Sequence, residues 1–516
     1  PRAGDRPSRA ALASTPAERM AGATAEAQEA EREVPVECGP GCADAEPLAT
    51  AGPCVWPRCG RRRRIANPHM RAFWASALAL CLGTAGWLAL APLFAVVRVD
   101  LGLCDNDAAL RRLPEGERVA ACACGEACKA TMWNANIAAG LLDILTRFLL
   151  QSAIERLGPA RMNCTLLSLG ALAVALSAAI QDATQLLVVR FFISCLASTA
   201  LVSNFWSATM FSTSTAGRAT ITAAGWGDLG GGLVQAFMPI AYSMLHDGAG
   251  VSLAASWRLP MVVIAALCAV LAAWTIICTQ DTAEGRLDMA SSAKARRAGY
   301  VKVITDWRVA LLVGQNSACS GAKFVLYNIL VSHCMDAFGL DLVAAGVLAM
   351  CFGGVGFLTK LLLGVVSEKL QTRWTMQGRL WVHFLALYFQ AICLFGFGCL
   401  DGSTGGWPLA LVVLVCLSAC ASAAEGTSHA IAPRIVPEEL AADAAAIAGA
   451  GGAPGAVLAL WFFYRGARGA LLPFRLHGGY VMFWALTVLM MRRDDLGSMF
   501  SRPSDQQEVQ EAGASA

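Results

Sequence analysis

Charged residues are scarce in this chain, at 15% of its 516 residues, whereas hydrophobic residues make up 56%. The mean hydropathy is +0.53. Soluble domains carry about a quarter charged residues, so this composition excludes an ordinary soluble protein. The formal net charge of +3 is close to neutral and gives no indication of nucleic-acid binding. We therefore expect an integral membrane protein surrounded by the lipid bilayer.

Motifs of soluble enzymes are lacking as well. The chain has no HExxH motif, no P-loop and no GxSxG at a strand-to-helix turn. We expect neither an enzyme, nor a cofactor, nor a metal site. Four cysteines near the start do not follow zinc-ribbon spacing and have no histidine nearby, which makes a zinc cluster the less favoured interpretation. They are Cys38, Cys42, Cys54 and Cys59.

Apolar runs long enough to cross a bilayer, roughly 17–25 residues, recur along the chain. Their spacing predicts an all-α membrane protein with about twelve transmembrane helices. The predicted spans are 72–97, 133–154, 162–180, 185–211, 219–244, 259–278, 308–335, 343–366, 380–400, 407–431, 440–464 and 476–491.

A long basic link falls midway along the apolar region and divides it in two. We predict a disordered cytoplasmic tail over 1–65, a six-helix bundle over 66–280, a cytoplasmic linker over 281–307, a second six-helix bundle over 308–492 and a cytoplasmic tail over 493–516. Lys and Arg concentrate in the links on one side of the helices, which predicts that both chain ends are cytoplasmic. The link from Arg465 to Arg475, with three arginines on the other side, departs from this bias.

The link from Arg98 to Lys129 is unusually long and contains four cysteines. If it is exofacial, one or two disulfides would form there. Free thiols in a mobile loop are the other interpretation. The sequence does not choose between the two.

Two segments are near copies of each other, and each places one cation inside an apolar run. Gly140–Leu157 reads GLLDILTRFLLQSAIERL, and Gly353–Leu370 reads GGVGFLTKLLLGVVSEKL. Arg147 and Lys360 are therefore equivalent positions in two related halves. A charge at mid-depth in a membrane costs several kcal/mol unless it faces a cavity or a partner. Two such cations predict a central anion site.

A second pair of segments is rich in glycine. Ala223–Gly232 reads AAGWGDLGGG and Ala448–Val457 reads AGAGGAPGAV, each within a predicted helix. Glycines four apart share one helix face and allow close helix packing. Packing alone explains the glycines, but it does not explain Asp228 in the middle of the first motif.

These glycine motifs resemble the signature sequences of a known protein family. AAGWGDLGGG, followed by Gln235 and Met238-Pro239, resembles the first signature of the nitrate/nitrite porter family in the major facilitator superfamily, and AGAGGAPGAVL resembles the second. Shorter matches resemble the high-affinity nitrate transporters of plants and algae. They include PHMRAF from Pro68, APL from Ala91, RFFI from Arg190, GRLW from Gly378 and GSMF from Gly497. The resemblance covers roughly residues 66–503.

The resemblance implies a major facilitator fold with two pseudo-symmetric bundles, and anion import by alternating access. It also implies that one arginine on helix two and one on helix eight clamp the anion. Arg147 occupies the first position, but Lys360 stands at the second, where a lysine offers a hydrated point charge instead of a planar fork. An ion pair of Arg147 with Asp143, one turn earlier, is an alternative that would not exclude an anion role.

Other positions depart from the family pattern. Asp228 and Ala453 stand where the two signatures have asparagines, Lys323 stands where an acid is more frequent, and the aromatic expected near Asn316 is absent. Either Lys323 neutralises Asp228 or Glu425, or the substrate has changed. The predicted substrate-binding residues are Arg147, Lys360, Asp228, Gly225, Gly227, Gly451, Gly452 and Asn328.

The resemblance further implies proton coupling, which needs a titratable group. The candidates are Glu425, His429, Asp143 and Lys323, with Asp228 and His383 as further carriers; a structural polar contact is the alternative for each. The expected partners are nitrate or nitrite, protons and a single-span accessory protein, at the plasma membrane. A porter for another small anion and a non-transporting nitrate sensor are the alternative functions.

Overall fold

The computed structural model describes residues 67–211, 213–282, 302–371, 376–437, 440–467, 469–493 and 497–500. The predicted N-terminal tail, most of the C-terminal tail, most of the linker and the cysteine group near Cys38 lie outside these residues. The described residues belong to one compact unit.

Twelve helical spans follow one another along the described chain, as predicted. Several are interrupted by short 3-10 or π-helical turns, and α1, α4 and α11 consist of two segments each. They are α1 (Pro68–Leu88 and Phe94–Asp100), α2 (Glu126–Leu157), α3 (Pro159–Leu176), α4 (Ala183–Ile193 and Thr199–Met210), α5 (Thr213–Ser243), α6 (Leu253–Cys278), α7 (Trp307–Phe338), α8 (Leu342–Gln371), α9 (Met376–Phe397), α10 (Gly406–Ile431), α11 (Ala441–Gly449 and Gly452–Ala459) and α12 (Leu472–Thr487). A two-residue strand β1 (Arg492–Arg493) pairs antiparallel with β2 (Gly497–Ser498) after the last helix.

Apolar side chains face outward along the peripheral helices. Val262, Val263 and Val270 on α6 are exposed, as are Phe389 and Phe395 on α9. Eight of the described helices are long and apolar enough to span a membrane. Among the others, α2, α5 and α7 carry buried charges, and α12 is 16 residues long. An apolar belt of this kind is the surface that lipid requires, and the chain is an integral membrane protein.

Small residues bring the two bundles together where α5 meets α8. A Cβ atom added to Gly232 or to Gly353 would collide with the backbone of the facing helix. On the other side of the interface, a Cβ at Gly140 of α2 would meet Val457 of α11. Bundle contacts between α5 and α8 and between α2 and α11 match the two pseudo-symmetric halves that the internal repeat predicts.

The close approach of α5 and α8 gives a test of this interface. We expect Gly353→Ala to destabilise the folded protein by about 1–3 kcal/mol, the usual cost of overpacking. Thermal unfolding of the purified protein in detergent measures this. Gly354→Ala is the matched control, because a Cβ there meets open space. Equal melting temperatures for the two variants would show that the helices do not pack as described.

The loop between α1 and α2 is cross-linked by disulfides. Cys104 pairs with Cys122 and Cys124 pairs with Cys128. Two short helices, Asp107–Leu110 and Glu115–Ala121, lie within the loop. The structure therefore confirms the prediction of disulfides in this loop, and the alternative of free thiols is wrong.

Candidate functional site

A cavity of about 80 Å³ lies between the bundles, and we call it the central cavity. Arg147 on α2 and Lys360 on α8 both line it, so the two repeat-related cations meet at one place, as predicted. Glu425 and His429 of α10 line it as well, which confirms that they share a face. The other lining residues are Leu80, Ala200, Asn204, Thr220, Ile221, Ala224, Asn316, Ser320, Phe324, Gly426, Gly449 and Gly452.

Arg147 is held in place by Asp143, one turn earlier on α2. Its Nε donates to Asp143 Oδ2 at 3.0 Å, and its Nη2 lies 2.9 Å from the same oxygen. Ser198 donates to the other carboxylate oxygen at 2.6 Å. Asp143 is fully buried, while 11% of the Arg147 side chain is exposed. The predicted ion pair is confirmed, and it orients a cation that still reaches the cavity.

Two lysines and two carboxylates form a compact group beside Arg147, which we call the charge cluster: Lys323, Lys360, Asp228 and Glu425. Lys323 Nζ lies 2.7 and 2.8 Å from the two Asp228 oxygens and 2.7 Å from Glu425 Oε2. Lys360 Nζ lies 3.1 Å from Asp228 Oδ2 and 3.0 Å from Glu425 Oε2. Each lysine therefore contacts both acids. The predicted neutralisation of Asp228 or Glu425 by Lys323 is confirmed for both.

The four members of the charge cluster differ in their access to the central cavity. Lys360 and Glu425 line it. Asp228 lies behind them, with 8% of its side chain exposed against 15% for Glu425. The charge cluster holds two lysines and two carboxylates, and Arg147 is paired with Asp143. The buried charges around the cavity therefore sum to zero when His429 is neutral. An anion that binds there would disturb this balance.

The second glycine motif interrupts α11 at the cavity, where an unbroken helix was expected. The first segment ends at Gly449 and the next begins at Gly452. The carbonyl of Gly449 instead accepts from Arg147 Nη1 at 3.4 Å and from Asn316 Nδ2 at 3.3 Å. Glycine has a low helix propensity. A broken membrane helix is tolerated where its free backbone groups line a cavity. Gly452 therefore presents the start of a helix, which carries partial positive charge, to the cavity.

The remaining glycines predicted for the site lie at helix contacts. Gly225 packs against Lys360 Cβ, Gly227 against α1, and Gly451 against the α7 backbone, while Gly452 lines the cavity. Close packing is therefore their direct role. Phe324, two turns after Asn316 on α7, is an aromatic residue that lines the cavity.

A layer of polar contacts around Arg190 was not predicted as part of a site. Arg190 of α4 is fully buried, and no carboxylate among the described residues pairs with it. Its Nη2 donates to Asn136 at 2.8 Å and to Asn328 at 2.7 Å, and its Nη1 donates to the carbonyl of Trp87 at 3.2 Å. The predicted substrate residue Asn328 therefore lies in this layer and not in the central cavity. The sequence signal was an arginine inside the predicted span 185–211.

His383 is not among the residues that line the central cavity, and it is hydrogen-bonded within its own bundle. Its Nδ1 lies 2.8 Å from Thr427 Oγ1 and its Nε2 lies 3.2 Å from Gln315 Oε1. Both ring nitrogens are thus occupied in a fully buried position, which suits a structural contact better than a proton carrier.

Comparison of the sequence with known proteins finds transporters. The profile of the Major Facilitator Superfamily matches residues 129–494. High affinity nitrate transporter 2.5 of Arabidopsis thaliana is 27% identical over 456 residues, which cover 87% of this chain and 84% of that protein. Nitrate transporter 2.1 of Chlamydomonas reinhardtii is 27% identical over 413 residues, covering 77% of this chain and 69% of that protein.

Comparison of the structure finds the same two-bundle fold. The xylose transporter XylE from E. coli, in a partially occluded inward open conformation, matches with a TM-score of 0.60 at 12% identity and covers 83% of this chain and 98% of that chain. The nucleoside transporter NupG matches with a TM-score of 0.56 at 13% identity, covering 82% and 98%. At such low identity the likeness concerns the fold alone.

Proposed function

Because the chain belongs to the major facilitator superfamily and is a transporter, not an enzyme, we propose that it imports nitrate or nitrite by alternating access, coupled to protons. The observation that carries this proposal is the meeting of Arg147 and Lys360 in one small cavity between the bundles. Charge-assisted hydrogen bonds from such cations are the strong contacts an anion makes in a protein. The nitrate transporters among the relatives support the same substrate class.

The disulfides support an orientation for the protein. Disulfides persist on oxidising sides of membranes, so the loop between α1 and α2 suits the outside of the cell. Both chain ends then lie in the cytoplasm, which agrees with the Lys and Arg bias of the links. We further propose that the protein lies in the plasma membrane and has a single-span accessory protein as its partner.

The balanced charges around the central cavity give a physical reason for proton coupling. An anion added to a neutral group of buried charges leaves one negative charge uncompensated, and such a charge costs several kcal/mol. One proton taken up by a carboxylate restores neutrality. Glu425 is the carboxylate placed for this role, because it lines the cavity while Asp228 and Asp143 lie deeper. A protonated Glu425 would also weaken its hold on Lys360 and free that cation for the anion.

Uptake of labelled nitrate in a host without its own nitrate transport tests the proposed function. We expect saturable uptake that rises as the external pH falls, and competition by nitrite. A porter for another anion would give uptake of that anion without competition by nitrate. A non-transporting sensor would bind nitrate in the purified state but give no uptake at any pH.

Asp228→Asn is expected to separate anion binding from proton binding. The change leaves two lysines with one acid, so the charge cluster gains a net positive charge that an anion can balance. We expect the apparent KM for nitrate to fall by several-fold to about ten-fold, since tenfold corresponds to about 1.4 kcal/mol, and uptake to depend less on pH. Uptake kinetics at pH 5.5 and 7.5, normalised to surface protein, are the measurement.

Asp182→Asn is the matched control for this substitution. Asp182 caps α4 by accepting the Gln185 N–H, and asparagine caps a helix equally well. The control should keep the wild-type KM and pH profile. An unchanged or higher KM in Asp228→Asn, at equal expression, would mean that the charge cluster only stabilises the fold.

A further inference from the structure

A second cavity, of about 220 Å³, lies between the bundles on the side of the disulfide-bonded loop, and we call it the loop-side cavity. It receives residues from α1, α2, α7 and α12 and from the link between α11 and α12. Its aromatic walls include Phe94, Trp133, Tyr464 and Phe474. The cavity is larger than the central one, so it has room for an anion with part of its water shell.

The charges that line the loop-side cavity are mostly positive. Arg98 and Lys129 line it together with Asp336, the one carboxylate among its described lining residues. The Nε atom of Arg98 is buried without a hydrogen-bond partner among the described residues. Lys129 has a loose contact of 3.8 Å with Glu126. Asp336 acts electrostatically on both cations, but no salt bridge within 4 Å joins it to either among the described residues, so they are less closely paired than Lys360 and Lys323 in the charge cluster.

A buried polar group at the cavity is also left without a partner. His333 of α7 is 7% exposed and lines the cavity, and its Nε2 makes no hydrogen bond with the described residues. Unsatisfied buried polar atoms are uncommon in folded proteins. His333 and Arg98, the residues that carry these two unpaired nitrogens, line the same cavity.

The guanidinium of Arg190 lies directly behind the loop-side cavity. Asn136 and Asn328 line the cavity, and both accept hydrogen bonds from Arg190 through their side-chain oxygens. No described carboxylate pairs with this cation. On the opposite side, the ring of Phe324, which packs on Trp87 with centroids 5.1 Å apart, belongs to the lining of the central cavity. The Arg190 layer thus separates the two cavities and adds positive charge behind the larger one.

We propose that the loop-side cavity is a second binding site for a small monovalent anion, held by Arg98, Lys129 and His333 in the field of Arg190. Before it takes up a proton, the electrically balanced central cavity attracts anions less strongly than this positively charged cavity does. An anion bound there would be separated from the central cavity by the Arg190 layer. Only the identity of that anion as nitrate rests on the proposed function.

Nitrate titration of purified protein in detergent tests this site without relying on transport. The background combines Arg147→Gln with Asp143→Asn and Lys360→Gln with Glu425→Gln, which disables the central cavity and leaves no unpaired buried charge there, and ionic strength is held constant with gluconate. Trp133 lines the loop-side cavity, so its fluorescence reports binding there. We expect a saturable change that disappears in Trp133→Phe. Chloride in place of nitrate shows whether the site takes small anions generally.

Arg98→Gln in this background should weaken nitrate binding by about tenfold or more, and Arg98→Lys should retain most of it. Arg111→Gln is the matched control, because Arg111 lies in the adjoining disulfide-bonded loop and its side chain is 75% exposed in a pair with Asp107. A monodisperse size-exclusion profile for each variant excludes misfolding. The proposal is overturned if no saturable signal is seen, or if Arg98→Gln and Arg111→Gln titrate alike. Failure of the proposed transport function would leave this titration unchanged.

Discussion

Arg147→Ala is expected to lower the apparent nitrate affinity by about ten- to a hundred-fold or more. Charge-assisted contacts are worth roughly 1.5–3 kcal/mol, and about 1.4 kcal/mol corresponds to tenfold. Lys360→Ala should have a similar effect, since both cations line one cavity. The two changes should be less than additive because they share one ligand. Nitrate uptake kinetics of the two single variants and the double variant measure this.

The buried partner of Arg147 requires a control of its own. Arg147→Ala leaves Asp143 as an unpaired buried charge, which by itself destabilises a protein. The pair Asp143→Asn with Arg147→Ala removes both charges and repairs this defect. If uptake returns in that pair, Arg147 serves the fold and not the anion.

Lys360→Arg should be tolerated and should tighten nitrate binding through the planar fork of arginine. Normal uptake by Lys360→Ala beside a defective Arg147→Ala would contradict the paired site.

Lys323→Met is expected to abolish nitrate uptake. The change leaves Asp228 and Glu425 with one lysine between them, so the charge cluster becomes negative and repels an anion. Removal of one partner from a buried charged group also costs about 3–5 kcal/mol of stability. Uptake per surface molecule and thermal unfolding of the purified protein are the two readouts.

A second substitution provides the control for Lys323→Met. Adding Asp228→Asn to it leaves one lysine and one acid, which balances the charge cluster again. We expect this double variant to regain both thermal stability and uptake relative to Lys323→Met. If the single variant transports normally, or if the double variant regains stability but no uptake, charge balance does not control anion binding.

The sequence predicted the architecture because its signals are local and repeated. Apolar runs separated by charged links placed twelve spans, and every one is present in the described chain. The internal repeat placed Arg147 and Lys360 at equivalent depths, which is why their meeting in one cavity could be predicted. Helix periodicity likewise placed Glu425 and His429 on one face.

Contacts between helices far apart in the chain could not be derived in this way. The sequence suggested Lys323 as a partner for Asp228 or Glu425, but it did not indicate that Lys360 contacts the same two acids. That arrangement depends on how α5, α7, α8 and α10 approach one another. The Arg190 layer was missed for the same reason, since its asparagine partners come from α2 and α7.

Backbone irregularity was the other feature hidden from the sequence. The second glycine motif reads as a helix by its apolar composition, yet α11 breaks at Gly449 because the freed carbonyl finds Arg147 and Asn316. Whether glycines interrupt a helix or merely let it pack closely depends on these tertiary partners. The first motif, in α5, remains an unbroken helix against α8.

Proton-driven accumulation of nitrate tests the central claim most directly. Purified protein is reconstituted into liposomes with an inwardly directed proton gradient, and labelled nitrate inside is followed with time for wild type and Glu425→Gln. Wild type should accumulate nitrate above the external concentration and lose it when the gradient is collapsed. Glu425→Gln should exchange nitrate across the membrane but not accumulate it. Accumulation by Glu425→Gln equal to wild type, or no gradient-driven accumulation by wild type, would contradict the account.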